Sequence, residues 1–135
     1  MHEANVLAVT TVSPGDLEAR VSGAGLVLVE CWAPTCGACK VFDPVFEKVA
    51  REHPEHLFLR LDITADESSS KSLGIEHTPT LMVYREGILL FRQAGNYEEA
   101  QLVDIVRQAA TIDMEMVRAD IAAAAENGEK HGDGP

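Results

Sequence analysis

Basic side chains are scarce in this chain of 135 residues: 11 Lys and Arg face 22 Asp and Glu, a formal net charge of −11. Nucleic acid and anionic membrane surfaces attract cationic proteins, so both are excluded as partners on charge. No apolar run approaches the roughly 20 residues that cross a bilayer. The opening MHEANVLAVTTVSPG has no basic n-region and no cleavage signal, so no leader is expected. A cytoplasmic location follows as the default, and there thiols stay reduced unless they are catalytic or hold metal. Internal repeats are absent. Only three cysteines occur, too few for a disulfide framework.

What is there is enough for one domain with a core, since 46% of the residues are hydrophobic. Residues 5–12 have strand composition. Ser13-Pro14-Gly15-Asp16 reads as a helix start, with serine as cap, proline at the first helical position and an acid three residues after the cap. That helix, 14–21, ends in the breaker Gly23-Ala24-Gly25. Residues 26–32 (LVLVECW) are nearly all apolar, as suits a central strand covered on both faces. A helix over 36–52 follows. Cys39, Phe42, Phe46 and Val49 recur at helical spacing as its buried stripe, and Pro44 inside it predicts a kink. Residues 57–63 form the next strand, 65–73 a short helix closed by Gly74. Residues 80–85 and 88–92 are strands around the hairpin turn Glu86-Gly87. Asn96 caps a last amphipathic helix with Leu102, Ile105, Val106 and Ala109 along one side. The order β-α-β-α-β-α-β-β-α predicts an α/β fold, a mixed sheet with helices on both faces. Residues 112–126 read as further helix, with Ile112, Met116, Ala119 and Ala123 as an apolar face expected to pack on the domain itself, the other reading being a docking or dimer helix.

The chemistry gathers at WAPTCGACK, residues 32–40. Cys36 falls where a strand has ended and a helix begins. The first helical turn leaves N–H groups unpaired and carries partial positive charge, which stabilises a thiolate. Cys36 is therefore expected to be more acidic than a free cysteine, at about 8.5. Cys39 lies one turn along, able to reach the same sulfur but more shielded. Attack by Cys36 and resolution by Cys39 is the expected division of labour.

With these residues in view, LVLVECWAPTCGACKVFDPVFEKVA resembles the active-site segment of thioredoxins, with Trp-Ala-x-x-Cys-Gly-x-Cys-Lys intact. The resemblance continues to His77-Thr78-Pro79-Thr80, to Glu86-Gly87 and to Gly95, and covers residues 5–110. It implies a thioredoxin fold of about five strands over residues 1–110; past the usual family end, composition points to a helical extension over 111–127 and a disordered tail over 128–135. It implies Cys36 as nucleophile, Cys39 as resolving thiol and Pro79 as a cis proline facing the pair. Trp32, Thr35, Gly37, Ala38, Thr78, Pro79 and Gly95 are the implied substrate-binding positions. The implied activity is dithiol/disulfide exchange on disulfide-containing proteins by a monomer that needs no bound cofactor. A flavin- or iron–sulfur-dependent reductase of the thioredoxin-reductase type would recharge it.

Glu30 is an acid inside an apolar strand, and such acids are rare without a task. Burial raises a carboxyl toward neutrality, which suits a base for Cys39. The family has aspartate there. Ala38 replaces the family's proline and predicts a less reducing couple by tens of millivolts, about 30 mV being roughly 1.4 kcal/mol. Thr35 replaces an aromatic of the docking surface, and the Thr78 hydroxyl could reach a sulfur.

Other readings compete. Cys31-x4-Cys36-x2-Cys39 matches part of an iron–sulfur pattern, but the fourth cysteine is missing. If Glu30 faces Cys39, strand alternation turns Cys31 away, which also weakens a zinc site with His77. His77 and Lys40 read as solvated, His53 and His56 as residues flanking Pro54 at a helix end without a special role, and Arg60 as a neighbour of Glu30 or an edge residue. From another class, the chain could be a redox-regulated scaffold that holds a client protein.

Overall fold

A computed structural model describes residues 8–23 and 25–132, with the backbone alone over 127–132. The expected strand start over 5–7, Ala24 of the breaker and 133–135 of the tail lie outside the described residues. Strands β1 (Val9–Val12), β2 (Leu26–Trp32), β3 (Leu57–Asp62), β4 (Thr80–Arg85) and β5 (Ile88–Ala94) form one five-stranded sheet in the order β1-β3-β2-β4-β5. β1 and β2 run parallel to β3, while β4 is antiparallel to β2 and β5. Helices α1 (Leu17–Val21), α2 (Gly37–Glu52), α3 (Glu67–Ser72), α4 (Glu99–Thr111) and α5 (Met114–Gly132) complete the chain.

The central strand β2 is buried along its length except at Trp32, which is half-buried. Alternation sends its residues to two cores. Leu26 and Leu28 join Phe42, Phe46 and Val49 of α2, Leu102 and Val106 of α4 and Phe58 of β3. Val27, Val29 and Cys31 join Leu17 and Val21 of α1 and Leu59, Leu61 and Met82 on the other face. The rings of Phe46 and Phe58 meet edge-on with centroids 5.4 Å apart, and Phe42 lies 5.8 Å from Phe46. Each such buried ring contributes about 2 to 3 kcal/mol. The stripe Cys39, Phe42, Phe46, Val49 is the buried face of α2, as its spacing predicts.

Three local expectations are corrected. Ser13 does not cap through its side chain; its hydroxyl donates to Asp16 Oδ2 at 3.0 Å, because a tight 3-10 turn over Pro14–Asp16 closes with Asp16 N–H donating to the Ser13 carbonyl at 3.0 Å. Asn96 does not cap α4. Glu98 does, in a capping box with Gln101, whose side chain accepts from Glu98 N–H at 2.8 Å. The short helix starts after Asp66, whose carboxylate accepts from Ser69 N–H, rather than at Ala65. At the hairpin tip, Glu86 (φ 55°) and Gly87 (φ 79°) both take the left-handed region, which matches the twist of the flanking strands.

The C-terminal helix departs furthest from expectation. Ile112 adopts extended backbone between α4 and α5. Met114 is buried, whereas Met116 is 63% exposed, Ile121 is 49% exposed and Ala119 and Ala123 are exposed. The expected apolar face is therefore not packed on the domain; α5 is held by buried Met114 in its first turn and by the ion pair of Arg118 with Glu86 at the hairpin. Helical backbone also continues through Gly132, past the expected end near 127. Alanine, glutamate and lysine sustain a helix by propensity where no packing is offered.

Met114→Ala is expected to lower unfolding free energy by about 2 kcal/mol, and Met116→Ala by less than about 0.5 kcal/mol. Urea denaturation of the two variants checks the order; equal losses would show that α5 packs as the sequence pattern suggests.

Candidate active site

The site is assembled at one end of the sheet by strand register. Cys31 of β2 pairs with Thr80 of β4, and Thr80 with Ala94 of β5. The segments just beyond those pairs, Trp32 to Cys39, Thr78-Pro79 and Gly95-Asn96, therefore share one edge. Gly95 N–H donates to the Pro79 carbonyl at 2.9 Å, and Asn96 Nδ2 donates to the Ala38 carbonyl at 3.2 Å. The Thr78–Pro79 peptide is cis, Pro79 is buried and Thr78 half-buried. Gly95 has φ 144°, a region that side chains rarely enter.

After β2, the chain turns with Cys36 N–H donating to the Ala33 carbonyl at 3.0 Å. Cys36 then stands at the N-cap of α2 in extended conformation. A cap supplies an acceptor to the unpaired N–H groups of the first turn. Here the acceptor is sulfur: Cys39 N–H donates to Cys36 Sγ at 3.1 Å. Cys36 and Cys39 are joined as a disulfide, with Cα atoms 5.3 Å apart, inside the range a relaxed disulfide spans. Cys36 is half-buried at the surface, while Cys39 is only 1% exposed. Thr35, Gly37, Ala38 and Lys40 around them are exposed. Trp32 ends β2 with its Nε1 buried and without a partner among the described residues.

Glu30 is fully buried and lies on the α2 face of the sheet, in alternation with Leu26 and Leu28. Its carboxyl is raised to about 8, first by burial, then by hydrogen bonding with the neighbouring Asp43 carboxyl, against the opposing pull of Arg60. Arg60 Nε donates to Glu30 Oε1 at 3.1 Å across the paired strands β2 and β3. Cys31 faces the opposite core, so it joins neither the cysteine pair nor a shared metal set. Burial and the charge of Glu30 push its thiol up to about 12, which leaves it without nucleophilic character at neutral pH.

One expectation is not met. The Thr78 hydroxyl bonds neither sulfur among the described residues; instead Thr80 Oγ1 donates to the His77 carbonyl at 2.5 Å, and the His77 ring is exposed. Two residues of the site were not anticipated. Asn96 reads as a helix cap but ties its loop to the first turn of α2. Asp43 sits beside Glu30; its position four residues after Cys39, on the same helix face, is the signal that was available.

A carboxyl that ionises near 4.5 in the unfolded chain and near 8 in the folded one binds more protons when folded. Stability therefore declines as pH rises through that window. Glu30→Gln is expected to flatten the decline and to stabilise the oxidised protein above pH 8 by a few kcal/mol. Denaturation midpoints between pH 5 and 9 test this; an unchanged slope would refute it.

Comparisons with known proteins agree with this geometry. The family model described as Thioredoxin matches residues 8–108. A protein named "Putative thioredoxin 2" from Streptomyces coelicolor is 42% identical over 96 residues, covering 71% of this chain and 72% of that protein. A thioredoxin of Chlamydia muridarum is 37% identical over 82 residues, covering 61% of this chain and 80% of the other. A mutant thioredoxin from Halobacterium salinarum superposes with a TM-score of 0.70 at 23% identity, covering 78% of this chain and 93% of that one, which shows a common fold. With a surface sulfur and a buried one bonded at the start of α2, the chain belongs to the thioredoxin family and is a thiol–disulfide oxidoreductase that performs dithiol/disulfide exchange through Cys36 and Cys39.

Proposed function

We propose that Cys36 is the attacking sulfur, Cys39 the resolving one and Glu30 the proton acceptor for Cys39, in a cytoplasmic carrier of reducing equivalents. The observation that carries the assignment is the unequal exposure of the two sulfurs. The sulfur at the surface also occupies the N-cap. Reduced, it sits where the helix end stabilises an anion. The Cys36 thiolate attacks one sulfur of a substrate disulfide. A Cys36–substrate bond forms, the substrate bond breaks, and the first substrate sulfur leaves as a thiolate that takes a proton from water. Cys39 then yields its proton to Glu30 and attacks Cys36. The Cys36–Cys39 bond forms and the second substrate thiolate departs. The substrate disulfide gains two electrons and the cysteine pair loses two.

Trp32, Thr35, Gly37, Ala38, Thr78, Pro79 and Gly95 form the substrate surface in this reading. Their common edge, the exposed turn at 35–38 and the unpaired backbone of Thr78 among the described residues support it. An extended substrate strand docks there by backbone hydrogen bonds. A reductase of the thioredoxin-reductase type returns the pair to dithiol, placing the protein in electron transport and cell redox homeostasis. The relatives named thioredoxin support this assignment.

Insulin-disulfide reduction with dithiothreitol tests the roles. Cys36→Ser is expected to reduce the rate to the uncatalysed background. Cys39→Ser is expected to accumulate mixed disulfides, visible on non-reducing gels. Activity of Cys36→Ser equal to that of the unaltered protein would sink the assignment, and partners retained by a double serine variant would favour a scaffold.

A further inference from the structure

Three carboxylates crowd one guanidinium between β2, β3 and α2. Arg60 Nε bonds Glu30 Oε1 at 3.1 Å, while Arg60 Nη2 stands 3.3 Å from Glu47 Oε2 and 3.8 Å from Asp43 Oδ1. Glu30 comes from β2, Arg60 from β3, Asp43 and Glu47 from α2; the β4 residue in register with Glu30 is Leu81, which is uncharged. The second oxygen of Glu30, Oε2, and Asp43 Oδ1 are both buried, and neither has a donor among the described residues. The two carboxyls lie close enough to hydrogen-bond each other once one carries a proton. Two ionised carboxylates cannot share such a site cheaply, and a buried oxygen without a donor costs about 1 to 3 kcal/mol. A single proton between them removes both penalties.

We propose that Asp43 is the proton partner of Glu30: the two carboxyls hold one proton in common, and Asp43 passes it between the sealed interior and water. The proposal rests on the reading of Glu30 as acceptor for Cys39 and adds the exit route. Glu30 is fully enclosed, so a proton taken from Cys39 cannot leave it directly. The Asp43 side chain is 28% exposed and reaches solvent on its other side. In each resolving step Glu30 gains the Cys39 proton on Oε1 or Oε2, gives one up across the shared bond, and Asp43 releases it to water. No bond to sulfur involves Asp43, so it is a positioning residue. Arg60 holds the pair at one negative charge or none, and Glu47 takes the remaining guanidinium edge.

Carboxyl-carbon NMR titration of the full-length oxidised protein tests this, with Asp43→Asn as the isosteric variant. In the unaltered protein the Glu30 carbon is expected to show its inflection near pH 8. In Asp43→Asn the Glu30 midpoint is expected to fall by about one pH unit, since a like charge is lost and Arg60 remains. The pH profile of insulin reduction is expected to move with it. A Glu30 midpoint that stays put in Asp43→Asn, with unchanged circular dichroism, overturns the pairing. Glu30→Gln separates the two ideas. If it leaves the pH profile of insulin reduction intact, the acceptor role falls and the relay with it; if it alters the profile while Asp43→Asn does not move Glu30, only the relay falls.

Discussion

The hydrogen bond from Cys39 N–H to the sulfur of Cys36 is the contact on which the rest of the site depends. It makes one side chain both the cap that starts α2 and the group that reacts. Capping residues are ordinarily oxygen acceptors, chosen because the first turn of a helix leaves its N–H groups unpaired. Putting sulfur in that position directs the helix's positive end at the atom that must become an anion. The same geometry places Cys39 one turn along, on the buried stripe of α2 that continues with Phe42. Exposure of one sulfur and enclosure of the other are then consequences of helical periodicity, not of separate features.

The enclosure has an electrostatic cost that the fold meets locally. A carboxyl at the centre of β2 loses its hydration and is driven toward its neutral form. Arg60, its register partner on β3, opposes that drive through a bond at 3.1 Å. Burial prevails over the ion pair because the charge is fully desolvated while the guanidinium is divided among three carboxylates. The acid therefore titrates near the pH at which thiols themselves ionise, where a group can both accept and release a proton readily. Helix α5 lies at the other extreme of the structure. Beyond its first turn the described side chains are exposed, and its helicity rests on alanine and charged residues rather than on burial.

Much of this was legible in the linear pattern. The apolar run at 26–32, the helical stripe from Cys39 to Val49 and the Glu-Gly turn each admit one reading, because burial on two faces, a 3.6-residue period and a left-handed turn have distinct residue requirements. Boundaries set by alternative caps were less legible. Asn96 and Glu98 are both able caps, and Gln101, three residues after Glu98, decided between them by completing a reciprocal pair. Asn96 was thereby free to bond Ala38. The apolar spacing in 112–126 suggested a packed face, but Ile112 breaks the helix there and the side chains of α5 described beyond Val117 are exposed.

By itself the sequence determined the order of strands and helices, the two redox sulfurs and the enclosed acid at position 30, since each depends on residues near one another along the chain. Only the tertiary structure decided that Thr78-Pro79, Gly95-Asn96 and the cysteine turn meet at one sheet edge, that Cys31 faces the opposite core and that Asp43 stands against Glu30. Those relations come from strand register and from the seating of α2 on the sheet, which are settled by the packing of whole faces rather than by any local run of residues.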